Sequence, residues 1–178
     1  DGQPVVRYQN PFRFTPGALE GNRRATGAAD PHEVARDAEL MLWWYLPHEA
    51  VHAARRHRNL AGGDPWVEEW VAATVQVAIT ARVLERLADV APYDLPAVLR
   101  AVERWTERLG ASCSPARRAR VDAFVASGGA RAADDAPAWQ VFREDVGFYV
   151  YLLSRTSLAA AARSEALDAL VERHLTPR

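Results

Sequence analysis

Two histidines four residues apart, with a glutamate directly after the first, are the residues of this sequence best suited to chemistry. They are His48, Glu49 and His52. On a helix, residues i and i+4 lie on one face, so both imidazoles can bind one Zn²⁺ ion. Glu49 would then stand beside the ion, where a carboxylate can act as general base on a metal-bound water. The pattern predicts a zinc site with His48 and His52 as ligands and Glu49 as catalytic base.

The residues within and after this run are uncharged, as a helix packed against a metal site requires: Ala50, Val51, Ala53 and Ala54. With these residues the segment resembles the zincin metallopeptidases, whose metal helix carries the same HExxH pattern. The resemblance implies zinc as cofactor, hydrolysis as activity, and a peptide or small-molecule substrate. One difference is Pro47, because zincin helices normally run unbroken into the first histidine.

The zincin resemblance also implies a third protein ligand, which gluzincins supply as a glutamate from the next helix. The candidates are Glu68 and Glu69, which follow the loop at residues 59–63. If the two helices are antiparallel, these carboxylates lie opposite about residue 54, roughly one turn beyond His52. The third metal ligand is therefore expected to be Glu68 or Glu69.

The histidines also have interpretations without zinc. They could be partly buried structural residues that face polar partners, with Glu49 on a solvated flank of the helix. Glu49 and His52 also form the ExxH half-motif of di-iron bundles, which need a second ExxH. No second ExxH occurs in the sequence.

Two other functional hypotheses come from the chain as a whole. The sequence from Val5 to Leu87, a strand-like beginning followed by Trp-rich helices, resembles the C-terminal helical half of aminoglycoside-type nucleotidyltransferases. That resemblance implies a missing N-terminal domain with the catalytic aspartates, and the chain begins at Asp1 without a methionine. Alternatively, the chain is a non-catalytic helical interaction module for a protein partner, which predicts an exposed apolar patch.

Composition narrows the class of protein. The 178 residues are 49% hydrophobic and 25% charged with a net charge of −1, which is typical of a globular domain. The 22 basic residues are all Arg and are balanced by 23 acidic ones, so no nucleic-acid partner is expected. No apolar run reaches the roughly 18 residues of a membrane span. The single cysteine, Cys113, cannot form an intrachain disulfide, so we expect a cytoplasmic protein.

Helix start signals recur along the chain and predict an all-α fold. They are Asp30-Pro31, Asp64-Pro65, Asp94 with Pro96, and Ser114-Pro115. We predict a helical bundle of about five or six helices over residues 30–178. Residues 1–29, rich in proline and glycine, are predicted to form an extended N-terminal arm.

Three features predict where helices end or bend. Pro47 lacks the N–H that would bond to the Trp43 carbonyl, so we expect a kink or a new helix start there. Gly110 is a helix-stop residue and predicts the end of the helix that follows Asp94. Apolar spacing near the C-terminus predicts one helix over residues 137–155 and another over residues 158–175.

Overall fold

The computed structural model describes residues 16–17, 20, 23–24, 30–61, 65–90, 93–126, 146–163 and 165–177. The described residues contain no strand and form six helices of defined extent, so the predicted all-α bundle is confirmed. The helices are α1 (Pro31–His57), α2 (Pro65–Arg86), α3 (Leu95–Ser112), α4 (Pro115–Ala126), α5 (Val146–Arg163) and α6 (Leu167–Leu175).

Most of the predicted N-terminal arm, including the strand-like run at residues 5–8, lies outside the described residues. The few residues described there are helical. Within them, Glu20 forms ion pairs with Arg23 and Arg24 at the three- and four-residue spacings of a helix.

Side-chain caps begin three of the helices at the residues that the sequence indicates. Asp30 accepts a hydrogen bond from the Glu33 N–H at 2.9 Å, and Asp94 accepts one from the Ala97 N–H at 2.8 Å. Ser114 caps α4 in the same way, with its hydroxyl 3.3 Å from the Arg117 nitrogen. Each cap satisfies one backbone donor that the first turn leaves without a helical partner. The Asp64 cap falls outside the described residues.

α1 ends in a Schellman motif, just where the loop after residue 58 is predicted. The Leu60 N–H bonds to the Arg55 carbonyl at 2.9 Å, and the Asn59 N–H bonds to the Arg56 carbonyl at 3.1 Å. Asn59 adopts a left-handed backbone conformation with φ 55°, which asparagine tolerates better than most residues. This reversal sends the chain back along α1 as α2.

Pro47 does not start a new helix, because α1 continues through it from Pro31 to His57. The carbonyl of Trp43, which has no N–H from residue 47 to bond, accepts a hydrogen bond at 3.1 Å from the hydroxyl of Thr80 on α2. Thr80 is 1% exposed, so its hydroxyl supplies the missing donor in an environment without water. Packing against α2 therefore compensates for the proline.

The helices pack around α2 and α5. α2 contacts α1, α5 and α6, whereas α5 contacts α2, α3 and α4. One core cluster forms around Trp44, Leu84 and Val98, and a second forms around Val51 and Val75, where α6 covers α1 and α2. None of the helices in the described ranges has the length and apolar character needed to cross a membrane.

Helix boundaries differ from the sequence prediction at three places. The helix predicted over residues 158–175 is divided, because α5 ends at Arg163 and α6 begins at Leu167. α3 continues past Gly110 to Ser112, and the glycine instead gives room to Tyr151, whose ring would lie 3.0 Å from an added Cβ. α5 continues through residues 156 and 157 to Arg163, whereas the sequence predicted a break there. Ser157 is fully buried and bonds to a carbonyl of α2, so it stabilises packing rather than ending the helix.

Candidate metal centre

His48 and His52 lie on the face of α1 that packs against α2. The His48 residue is 6% exposed, and the His52 side chain is 14% exposed. Their rings meet edge to face, with centroids 4.8 Å apart. Val51, between them in sequence, is fully buried in the core that α1, α2 and α6 share. The helical repeat and the apolar packing of Val51 together orient both imidazoles towards α2.

Glu69, in the second turn of α2, meets both histidines. Its Oε2 atom lies 3.0 Å from His48 Nε2 and 3.4 Å from His52 Nε2, and the two Nε2 atoms are 3.1 Å apart. We refer to His48, His52 and Glu69 as the histidine cluster. Among the described residues it is the one group of three or more potential metal-binding side chains with convergent donor atoms.

The spacing of the three donor atoms matches what a tetrahedral ion requires. Two donors bound to one zinc at about 2.0–2.1 Å and at tetrahedral angles lie about 3.3 Å from each other. The observed separations of 3.0, 3.1 and 3.4 Å are close to that value on every side of the triangle. His48, His52 and Glu69 would hold such an ion, and a zinc ion with three protein ligands keeps a fourth coordination position for water.

Protons can satisfy at most two of the three short contacts in this triangle at once. His48 Nε2 has both Glu69 Oε2 and His52 Nε2 within 3.1 Å, but an imidazole nitrogen has a single in-plane position for a proton or a lone pair. A cation at the centre of the triangle would interact with all three atoms. The histidine cluster therefore brings together a donor set that could hold a transition-metal ion.

The charge of Glu69 acts on His52, the more exposed of the two imidazoles. The hydrogen bond that His52 donates to Glu69 raises the pKa of His52, because the carboxylate stabilises the imidazolium. Partial burial of the ring opposes this effect, and the charge of Glu49 adds to it. The cluster thus attracts positive charge, whether a proton or a metal ion carries it.

Glu68, the other candidate for the third ligand, has a different partner. Its two carboxylate oxygens lie 2.6 and 2.9 Å from the guanidinium of Arg55, with side-chain exposures of 14% and 11%. Arg55 also donates to the carbonyls of Leu60 and His174. We refer to Arg55, Glu68 and these two carbonyls as the arginine clamp. The structure thus brings Glu69 to the histidines and Glu68 to Arg55.

Glu49 lies on the exposed flank of α1, next to His48 in sequence. Its charge contributes to the raised pKa of His52, which places the carboxylate within electrostatic range of the cluster.

Sequence reasoning missed two buried polar residues behind His48. Gln76 Oε1 lies 2.8 Å from His48 Nδ1, and Gln76 Nε2 donates to the Ser157 hydroxyl at 2.7 Å. Gln76 is 2% exposed and Ser157 is 0% exposed. A signal for Gln76 was present, because it lies two turns after Glu69 on the same helix face, in a run without charged residues. Ser157 comes from α5 and had no such signal.

Comparison with models of protein families, with curated proteins and with solved structures gives no match for this chain. The function must therefore be inferred from the histidine cluster itself.

Proposed function

We propose that this protein binds Zn²⁺ through His48, His52 and Glu69 and is a zinc-dependent hydrolase of the metallopeptidase type. The observation that carries the proposal is the triangle of donor atoms, with separations of 3.0, 3.1 and 3.4 Å. Two imidazoles and one carboxylate are the ligand set of hydrolytic zinc sites that keep a fourth position for water. Substrates would be peptides or small molecules with a carbonyl group.

Glu49 is the proposed general base. A zinc ion in the cluster would supply acidification of a bound water. Glu49 would accept the proton of that water, because it adjoins a ligand and lies on the solvent side of α1. Its exposure would also let the proton pass on to the leaving group or to bulk water.

The metal-binding half of the proposal is tested with two neighbouring glutamates. Glu69→Gln is expected to weaken zinc binding by more than about 100-fold, since residues that merely orient a ligand account for about 10- to 100-fold. Glu68→Gln is the matched control, because it makes the same chemical change one residue away and leaves the histidine cluster intact. Zinc content by elemental analysis and dissociation constants by chelator competition give the readout. A wild-type protein without stoichiometric zinc, or equal effects of the two changes, would overturn it.

The hydrolytic half needs a separate experiment. Peptide-library and p-nitrophenyl ester substrates are assayed with the zinc-loaded wild type and with Glu49→Gln. The variant is expected to keep its zinc and to lose about 10²- to 10⁴-fold in rate, the usual contribution of a general base. If the zinc-loaded wild type cleaves no member of either panel, the hydrolase assignment fails while the zinc site stands.

The other hypotheses remain predictions with distinct outcomes. A protein without zinc and without hydrolytic activity would favour a helical interaction module, or a lobe of a nucleotidyltransferase-like protein. The cytoplasmic location expected from the single cysteine also stays a prediction.

A further inference from the structure

Three buried side chains on three helices form a chain of hydrogen bonds that ends at the candidate metal centre. Ser157 on α5 donates to the Ala73 carbonyl at 2.8 Å, Gln76 on α2 donates to Ser157, and Gln76 Oε1 faces His48 Nδ1 on α1. Ser157, Gln76 and His48 are 0%, 2% and 6% exposed, so water does not compete for these bonds. We refer to Gln76 and Ser157 as the amide relay.

The direction of every bond in the amide relay follows from its far end. The carbonyl of Ala73 can only accept, so the single hydroxyl proton of Ser157 is used there. The Ser157 oxygen must then accept from Gln76, which turns the NH₂ group of the amide towards α5. A flipped amide would set two acceptor oxygens against each other in a buried site, at a considerable cost in free energy. Gln76 Oε1 is therefore the atom that faces His48.

The orientation of Gln76 decides which nitrogen of His48 carries a proton. An amide oxygen can only accept, so His48 Nδ1 is the donor in the 2.8 Å bond between them. In the neutral imidazole the other nitrogen, Nε2, then has its lone pair free. Nε2 is the atom that meets Glu69 and His52 at 3.0 and 3.1 Å.

We propose that Gln76 and Ser157 are positioning residues that hold His48 as the Nδ1–H tautomer, with its Nε2 lone pair directed at the metal position. The inference rests on the proposed zinc function and extends it to residues on two further helices. Zinc-binding histidines commonly donate their second N–H to an oxygen, which fixes the ring and makes the ligand more basic. Here that oxygen is fixed in turn by α5, so the helix that packs on α2 and α3 also orients a ligand on α1.

Zinc affinity gives the first test. Gln76→Met keeps a side chain of similar length without the hydrogen bonds and is expected to weaken zinc binding about 10- to 100-fold. Ser157→Ala, which frees the amide to rotate, should weaken it less. Gln76→Glu keeps an acceptor for the Nδ1–H and should restore most of the affinity that Gln76→Met loses.

Thr80→Val is the matched control for affinity. Thr80 is also on α2 and also makes a buried bond to α1, but its partner is the carbonyl of Trp43 rather than a proposed ligand. Zinc affinity should stay that of the wild type, although the protein loses stability. If Thr80→Val and Gln76→Met weaken zinc binding equally, the amide relay is only structural and the proposal is overturned.

Nitrogen-15 NMR of the metal-free, histidine-labelled protein gives a second test that needs no zinc. In the metal-free protein the Glu69 carboxylate, 3.0 Å from Nε2, competes with Gln76 for the single proton of the neutral ring, and His48 is expected to carry that proton on Nδ1 because the 2.8 Å bond to Gln76 is the more deeply buried of the two. Gln76→Met should move it towards Nε2, the form preferred by free imidazole. A wild-type His48 with its proton on Nε2 would refute the amide relay, even if zinc binds. A wild type with the Nδ1–H form but no zinc affinity would refute the proposed function and leave the tautomer assignment standing.

Discussion

The arginine clamp and the histidine cluster use neighbouring carboxylates of α2 in opposite ways. In the arginine clamp, the donors of Arg55 face only acceptors, namely the Glu68 carboxylate and the carbonyls of Leu60 and His174. In the histidine cluster, Glu69 faces two imidazole nitrogens, and the three atoms share one small triangle. The clamp is complete without any ligand. In the histidine cluster, by contrast, three potential metal-binding atoms converge, and for this reason the cluster rather than the clamp is the candidate binding site.

Removing the cation of the arginine clamp should have the largest effect on folding. Arg55→Met leaves the Glu68 carboxylate, 14% exposed, without its partner and should lower the free energy of unfolding by about 3 kcal/mol. Urea denaturation measures this change, and zinc affinity should remain that of the wild type. The double variant Arg55→Met with Glu68→Gln should regain part of the stability. A loss of zinc binding as large as that of Glu69→Gln would show that the two regions are not separate.

Zinc should stabilise the protein only through the histidine cluster. At a free zinc concentration about 100 times the dissociation constant, binding to the folded state alone raises the free energy of unfolding by about 2.7 kcal/mol. Thermal or urea unfolding with and without zinc should show this rise in the wild type and in Arg55→Met. His52→Ala should abolish it. A rise that persists in His52→Ala would place the zinc elsewhere in the protein.

The bond that compensates for Pro47 should have an intermediate effect. Thr80→Val leaves the buried Trp43 carbonyl without a donor and should cost about 2 kcal/mol. In a Pro47→Ala background the restored N–H of residue 47 can bond to that carbonyl, so the same change should cost less. A double-mutant cycle by urea denaturation measures the coupling. Equal costs in both backgrounds would show that Thr80 acts through packing and not through the carbonyl.

A surface ion pair should have the smallest effect. Arg82 and Glu85 are 2.7 Å apart, as close as the pair in the arginine clamp, but their side chains are 54% and 67% exposed. Glu85→Gln should therefore change the free energy of unfolding by about 0.3 kcal/mol, because solvent screens the pair. An effect similar to that of Arg55→Met would mean that distance rather than burial decides the strength of ion pairs in this protein.

Sequence periodicity was sufficient for the part of the site that lies on one helix. The four-residue spacing of His48 and His52 predicted that both imidazoles lie on one face of the helix. The choice between Glu68 and Glu69 could not be made in this way. Successive residues of a helix point about 100° apart, so the choice depends on how α2 is rotated against α1. Local sequence does not encode that rotation.

Contacts between helices also explain why two helix boundaries could not be predicted from the sequence. The sequence predicts a break between two helices at residues 156–157, but Ser157 is buried there and bonds to the Ala73 carbonyl. The sequence also predicts a helix end at Gly110, but this glycine makes space for Tyr151. Both residues have a low intrinsic helix propensity. Their packing against a neighbouring helix outweighs this propensity, so the helix continues through them. By contrast, Asp30 and Asp94 act through their own helix, and their predicted roles are confirmed.

Pro47 also determines which parts of α1 move together. A helix bends most readily where a proline removes a hydrogen bond and crowds a carbonyl, here at the turn that begins with Trp43. Both His48 and His52 follow that turn and lie in the unbroken C-terminal part of α1. A change in the bend therefore carries the two imidazoles as one rigid body. The N-terminal half of α1 can shift with the core while the distance between the histidines stays the same.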